Sequence, residues 1–366
     1  MWVRLIRSVR RGFGGRAGKA RARGPFAGAR WALAVLALAG CAWFRSAIND
    51  SPAIRWWLFS HYGAERLCPE MQRRTAPLRL TPGGNVIGRL FPSSCQSQID
   101  EGRRTVSLEF TGSGYAWTAI AGRVGFSVHA GVEYRPDFSL QPDAMYVWAR
   151  SERMLFPAQF HVDSIQNRLV DWATQQTVGA YLTSAFGAQL AQSQLANGFT
   201  VVRTEQGDAF SLGILQPPER PAEPFRAGAE DRQLVASETL EIRVEQVDFL
   251  GPLWVGGEGQ GMFFRYQLAG PPAEALLYAR SDADAWRERL QKGASFAPPP
   301  VPALLGFALA PGAGGEQTFR LPPGQYVLVV DHTSQLGAVN PPYNPLNAMG
   351  ANSLVLSYRL ELGSAL

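Results

Sequence analysis

Apolar and polar positions alternate along much of this chain. Phe126, Val128, Ala130, Val132 and Tyr134 fall on one side of a stretch whose other side carries Ser127, His129 and Glu133. A period of two marks an antiparallel strand with one buried face. Thr105 to Phe110 alternates in the same way, and Ala144 to Arg150 and Ala158 to Ile165 continue the pattern. Leu78-Arg79-Leu80 and Val86 to Phe91 flank Thr81-Pro82-Gly83-Gly84-Asn85, whose residues supply the positive φ angles of a hairpin turn. Phe199 to Arg203 and Ala209 to Leu215 form two more strands around Gly207-Asp208.

Helical spacing is confined to a few places. Asp50-Ser51-Pro52 offers a polar cap and a first-turn proline, and predicts a helix through Ile54, Trp57, Leu58 and His61. Trp56 and Trp57 on that helix are expected in the core, with the bilayer interface beside a lipid anchor as the alternative. Residues 42–50 before it read as a tether. One long helix is predicted over about Asn167 to Ala196, with Leu169, Trp172, Ala173, Leu182, Ala185, Phe186 and Leu190 on its apolar side. Asn197-Gly198 stops it, and Gly179 and Gly187 weaken it.

Pro217 to Glu230 is rich in proline and charge and lacks a period, as a linker does. Beyond it, short strands are expected near Leu240 to Phe249, Met262 to Leu268, Ala275 to Arg280, Leu304 to Ala310, Gln317 to Leu321, Gln325 to Asp331 and Ser353 to Leu362. One short helix interrupts them, capped by Ser281, with Trp286 and Leu290 on one face and Gly293 at its end. The predicted fold class is therefore mostly β with one long helix (α+β): an N-terminal α+β domain followed by a C-terminal antiparallel β-sandwich. The divisions are a signal peptide at 1–40, a tether and short helix at 41–66, the α+β domain at 67–216, the linker at 217–232 and the β-sandwich at 233–366.

The first 30 residues hold nine basic side chains, and the first acid is Asp50. A short apolar run, Trp31 to Gly40, follows. A positive flank, a short apolar core and a small-residue exit make an export signal, and the run is shorter than the ~20 residues of a membrane span. It ends in Leu38-Ala39-Gly40-Cys41. Those residues resemble the lipobox of bacterial lipoproteins. The resemblance implies a diacylglyceryl group on the Cys41 thiol, cleavage just before it and acylation of the new amine. Residue 42 is Ala, which in that family implies transport to the outer membrane.

Charge changes sign once the signal is set aside. Nine of the 35 basic residues lie in it, so 26 face 30 acidic residues beyond it, a net charge of −4. The basic pI is thus no pointer to nucleic acid. Of the three cysteines, Cys41 is the lipid site, and Cys68 and Cys95 form an even pair that predicts a disulfide in an oxidising compartment. Zinc is not expected, since no His or Cys stands near that pair at ligand spacing.

The run Phe319-Arg320-Leu321-Pro322-Pro323-Gly324-Gln325-Tyr326-Val327-Leu328-Val329-Val330-Asp331 is similar to the late strand of GOLD-like and related jelly-roll modules, as is the strand and tryptophan-bearing helix from Ala275 through Trp286. The resemblance spans about Leu240 to Gly363 and implies a module that binds or scaffolds. A long helix among curved strands resembles, in element order, the tubular lipid-binding proteins.

Catalytic patterns are sparse. The chain has no H-E-x-x-H, no P-loop and no G-x-S-x-G elbow. Its histidines, His61, His129, His161 and His332, lie far apart. Asp331-His332 with Ser334 is the best polar cluster, yet three groups crowded where a strand becomes a loop suit turn hydrogen bonds better than a relay. Gly251 to Gly261 reads as a flexible β loop, and Pro341-Pro342-Tyr343-Asn344-Pro345 as a candidate binding loop. No catalytic, metal or cofactor residue is assigned, and no cofactor is implied. The functional expectation is an outer-membrane-anchored, non-catalytic binding or scaffolding lipoprotein. Its partners would be the membrane and an envelope protein, glycan or lipid, with no nucleic acid. Lipid carriage through a tubular N-terminal domain and an envelope hydrolase are the rivals.

Overall fold

The computed structural model describes residues 43–73, 75–79, 84–118, 122–166, 195–205, 207–221, 223–225, 232–293, 296–312, 314–342 and 353–364. Three short helices open it: α1 (43–50), α2 (Pro52–Tyr62) and α3 (Ala64–Arg73). As its sequence predicts, α2 starts at Ser51, whose hydroxyl accepts from the Ile54 amide, with Pro52 in its first turn. The expected tether at 42–50 is helix from residue 43. Ile48 is buried, and the Asn49 side chain bonds both the carbonyl and the amide of Leu140 at 2.8 Å.

Strands then follow, with helical residues described among them only at 195–196, before β6. They are β1 (Ala76–Arg79), β2 (Val86–Asp100), β3 (Thr105–Thr118), β4 (Gly122–Leu140), β5 (Met145–Ile165), β6 (Phe199–Thr204), β7 (Gly207–Leu212) and β8 (Gln233–Ile242). Antiparallel neighbours run β1 to β7 in chain order, β7 meets β8 at Gly207 and Leu234, and β8 meets β2 in parallel at Val86 and Leu240. The seven strands β2 to β8 thus close into a barrel. The expected N-terminal α+β domain is corrected by this closure to a mostly β barrel. Residues 167–194, most of the expected helix, lie outside the described residues. The two patterns at 144–150 and 158–165 form one continuous strand, β5, whose pairing with β4 absorbs several register shifts on either side of Pro157. Proline in a strand is tolerated at such irregular places.

The alternation does its work in the barrel wall. Val106, Leu108 and Phe110 of β3 sit opposite Tyr134, Val132 and Ala130 of β4, and all six are buried. Trp56, Phe59 and Ala64 of α2 and α3 join Val106, Leu108, Val132 and Tyr134 in one apolar cluster. The Cys68–Cys95 disulfide fastens α3 to β2 across a Cα separation of 5.3 Å.

The same sheet continues past the barrel. After β9 (Gln246–Val255) come β10 (Gln260–Ala269), β11 (Ala273–Ala279), α4 (Arg280–Gln291), β12 (Leu305–Leu309), β13 (Gly315–Arg320), β14 (Gly324–His332) and β15 (Leu354–Ser364). Strands β15, β10 and β13 extend from β8, making eleven strands in all, while β12, β11, β14 and β9 form a second sheet. The predicted free-standing β-sandwich is therefore replaced by a barrel sheet that runs on through β8 and carries a second sheet on it. Leu250, Leu253, Ala275, Leu277, Leu328 and Val330 of the second sheet pack on Leu240, Met262, Phe264, Leu356 and Tyr358. Its other face, with Phe249, Leu276, Val327 and Val329, is covered by Trp286 and Leu290 of α4 and by Tyr115 and Trp117 of β3. Both faces are apolar, which is why its strands read as continuous hydrophobic runs. The expected Ser281 cap is not made: α4 begins at Arg280, and Ala279 precedes it with no side-chain bond. Gly293, at φ +84°, follows the end of α4 as expected.

Candidate functional site

The chemically distinctive place is the end of the second sheet. Glu274 of β11 and Asp331 of β14 are directly opposed cross-strand partners, and both are buried. The chain after β14 turns back over them. Glu274 Oε2 accepts from the amides of Ala338 and Val339, and Asp331 Oδ1 accepts from the Thr333 amide at 3.0 Å. Asp331 Oδ2 has no hydrogen-bond partner among the described residues.

Burial is the main cause that pushes the Asp331 carboxyl up to about 7; the Thr333 bonds oppose this, and the charges of Glu274 and Glu245 add to it. Burial likewise pushes the Tyr278 hydroxyl up to about 12, reinforced by Asp331 and Glu274. Asp331 can therefore hold a proton near neutrality, where an exposed aspartate cannot.

A cleft of about 280 Å³ lies beside this pair, lined by Leu276, Tyr278, Leu336, Gly337 and the proline-rich stretch 298–303. Gly337 stands between cleft and acids. Its φ is +68°, and a Cβ there would overlap Glu274 Oε2 and lie 3.5 Å from Asp331 Oδ2. Only glycine meets both demands.

The polar cluster at 331–334 does not assemble a relay. Asp331 faces Glu274, whereas His332, the next residue along a strand, points to the opposite side of the sheet. Burial lowers the His332 pKa, the nearby backbone of Arg243 and Ile242 and the charge of Glu245 raise it, and neither ring nitrogen reaches hydrogen-bond geometry among the described residues. Ser334 is no nucleophile for it, since its hydroxyl donates to Glu245 Oε1 at 2.6 Å. The remaining histidines are dispersed. His129 contacts Glu109 at 2.9 Å, His161 lies 3.9 Å from Asp163, and the His61 ring lies tilted against Trp57. No group of three His, Cys, Asp or Glu able to hold a metal exists among the described residues.

The other expected site residues divide as follows. Cys68 and Cys95 are bonded to each other. Cys41 lies outside the described residues, which begin two positions later. Gly251 to Gly261, expected as a flexible β loop, is strand at 251–255 and 260–261, and only 256–259 form the turn between β9 and β10. Of Pro341 to Pro345, only Pro341 and Pro342 are described. Trp56 is buried, as expected, and its indole donates to Glu101, but Trp57 is 49% exposed.

One polar centre leaves little trace in the sequence. Arg89 of β2, in the predicted hairpin, is buried and bridges Asp248 of β9 and Glu238 of β8. The Tyr358 hydroxyl donates to Glu238, and the Tyr115 hydroxyl donates to Asp248. The attraction of both carboxylates outweighs desolvation and holds the Arg89 pKa well above its ordinary value. The only sequence signal is an arginine on the alternating strand Val86 to Phe91. Each member of this set has its partner in another, so the set joins barrel to second sheet and leaves no group aimed at a ligand.

Comparison with models of known protein families and with curated proteins found no match.

Proposed function

We propose that the chain is an outer-membrane lipoprotein, held through acyl groups on Cys41 and facing the periplasm or the cell surface. Its work is non-catalytic: it binds or scaffolds an envelope protein or glycan. The lipobox Leu38-Ala39-Gly40-Cys41 and the Cys68–Cys95 disulfide support the address. The observation that carries the non-catalytic part is the divergence of the ablest polar side chains, with Asp331 and His332 on opposite sides of β14 and Ser334 bonded to Glu245.

Lipid carriage is the second reading; the segment 167–194, beside which it would need a tunnel, lies outside the described residues. Where α2 and α3 meet the barrel wall, the void lined by Phe59, Leu67, Val106, Leu108, Tyr134 and Phe199 is about 20 Å³. That is room for about one water molecule, not an acyl chain.

The test is crosslinking in intact cells followed by purification of the membrane-bound chain, wild type beside Cys41→Ser. A discrete crosslinked species that the mislocalised variant loses is expected. Hydrolysis of an ester, glycoside or peptide by the purified protein, diminished in Asp331→Asn, would overturn the non-catalytic reading.

A further inference from the structure

We infer that α1 and α2 form a membrane-seating surface, which lays Trp43, Phe44, Ile54, Trp57 and Tyr62 into the headgroup layer of a phospholipid bilayer; this rests on the lipid-anchor reading above. Nine large apolar side chains are exposed among the described residues, and five of them are these, within twenty positions of each other. Trp43 is 74% and Tyr62 63% exposed. Such concentration is not the scattered exposure of an ordinary surface.

The helix α2 is apolar on two sides. Trp56 and Phe59 enter the protein core, while Ile54 and Trp57 stand three apart on the outer side. Trp57 meets His61 in a tilted contact with ring centroids 4.8 Å apart and meets the edge of Tyr62 at 5.9 Å. A side left exposed among the described residues, and built of Trp, Tyr and Ile, has the chemistry of an interfacial belt: apolar bodies, with a polar handle on Trp and Tyr.

Covalent reach selects the occupant. Trp43 stands two positions after Cys41, and an extended chain covers at most ~3.6 Å per residue, so Trp43 lies within about 7 Å of the anchored cysteine. The headgroup region on each side of a bilayer is of similar depth, about 5–8 Å. A chain acylated at Cys41 therefore keeps Trp43 at or close to the lipid surface. The helices are not a free leash either. Ile48 is buried, Asn49 bonds Leu140, and Arg55 pairs with Asp137 of β4 at 2.6 Å. Seating the helices thus fixes how the barrel stands on the membrane.

The test uses the acylated full chain in phosphatidylethanolamine and phosphatidylglycerol vesicles. With Cys41 acylated and Cys68 bonded to Cys95, a cysteine placed by Ile54→Cys is the only free thiol and takes a nitroxide label. Leu304→Cys, at another exposed apolar position, serves as the control. Collisions with oxygen and with a nickel chelate are compared, and intact mass is read on the same sample. The expected result is acyl mass together with loss of nickel collisions, and retained oxygen collisions, at position 54 but not at 304. Acyl mass with equal nickel access at both positions overturns the seating surface and leaves the anchor standing. Shielding of position 54 from both oxygen and nickel means a protein or a second copy covers it, and also overturns the proposal. A chain without acyl mass overturns anchor and seating together.

Discussion

Arg89 and Asp248 lie 159 residues apart in the chain and meet through three N–H···O contacts of 2.8 to 3.1 Å. One belongs to the barrel and the other to the second sheet, so this pair ties the two halves together from inside. Arg89 also holds Glu238 at 3.0 Å. Arg89→Met would strand two buried carboxylates. Removing one partner of a buried pair costs about 3–5 kcal/mol, and that loss is expected in urea unfolding. Arg89→Met combined with Asp248→Leu should recover part of it, because one of the two stranded charges is then gone.

The Asp331 carboxyl gives stability a defined pH dependence. Its pKa is raised from 3.8 to about 7 in the folded protein, so between those values the folded state holds a proton that the unfolded state has released. This group's contribution therefore falls as pH rises from about 4 to about 7, and the full penalty remains above 7. Asp331→Asn should remove that decline and be more stable than the wild type above pH 7. Midpoints of urea unfolding across the range will show the two curves separating toward high pH.

Gly337→Ala is expected to disturb the turn over the acid pair. A positive φ in a residue bearing a side chain, with a Cβ overlapping Glu274 Oε2, should cost about 1–3 kcal/mol. Gly257→Ala meets nothing within 4 Å of its new Cβ and sits outside the positive-φ region, so it should be nearly neutral when both variants are compared with the wild type in urea unfolding.

Breaking the disulfide should loosen α3 from β2. The bridge closes a separation of 27 residues, and constraining a loop of that size stabilises by roughly 3 kcal/mol in the chain-entropy account. The double variant Cys68→Ala with Cys95→Ala is expected to shift the urea midpoint down by about that amount. Hydrogen exchange in Ala64–Arg73 should rise before exchange in β10 and β15.

Local pattern is legible in the sequence and closure is not. Phe126 to Tyr134 reads as a buried strand face because alternation is a short-range property, and all five apolar residues are buried. The barrel depends on Val86 meeting Leu240 and Gly207 meeting Leu234, pairings that leave no trace in either segment. Pro157 divides one strand into two apparent ones, since a register shift can absorb a proline only in three dimensions. Glu133 looks solvated by parity, yet it is buried and met by Thr105, Arg103 and Arg153. Asp331 stands out in its local polar cluster, but its partner Glu274 comes from another strand and does not. Trp57 is expected in the core because aromatic residues usually go there; the helix has two apolar sides, and only one of them can face the barrel.

The most direct measurement is the intact mass of the protein purified from membrane fractions, wild type beside Cys41→Ser. The predicted result is a wild-type chain that begins at Cys41 and carries added acyl mass, and a variant absent from the membrane. Persistence of residues 1–40, or a wild type without acyl mass, would contradict the anchor and the function built upon it.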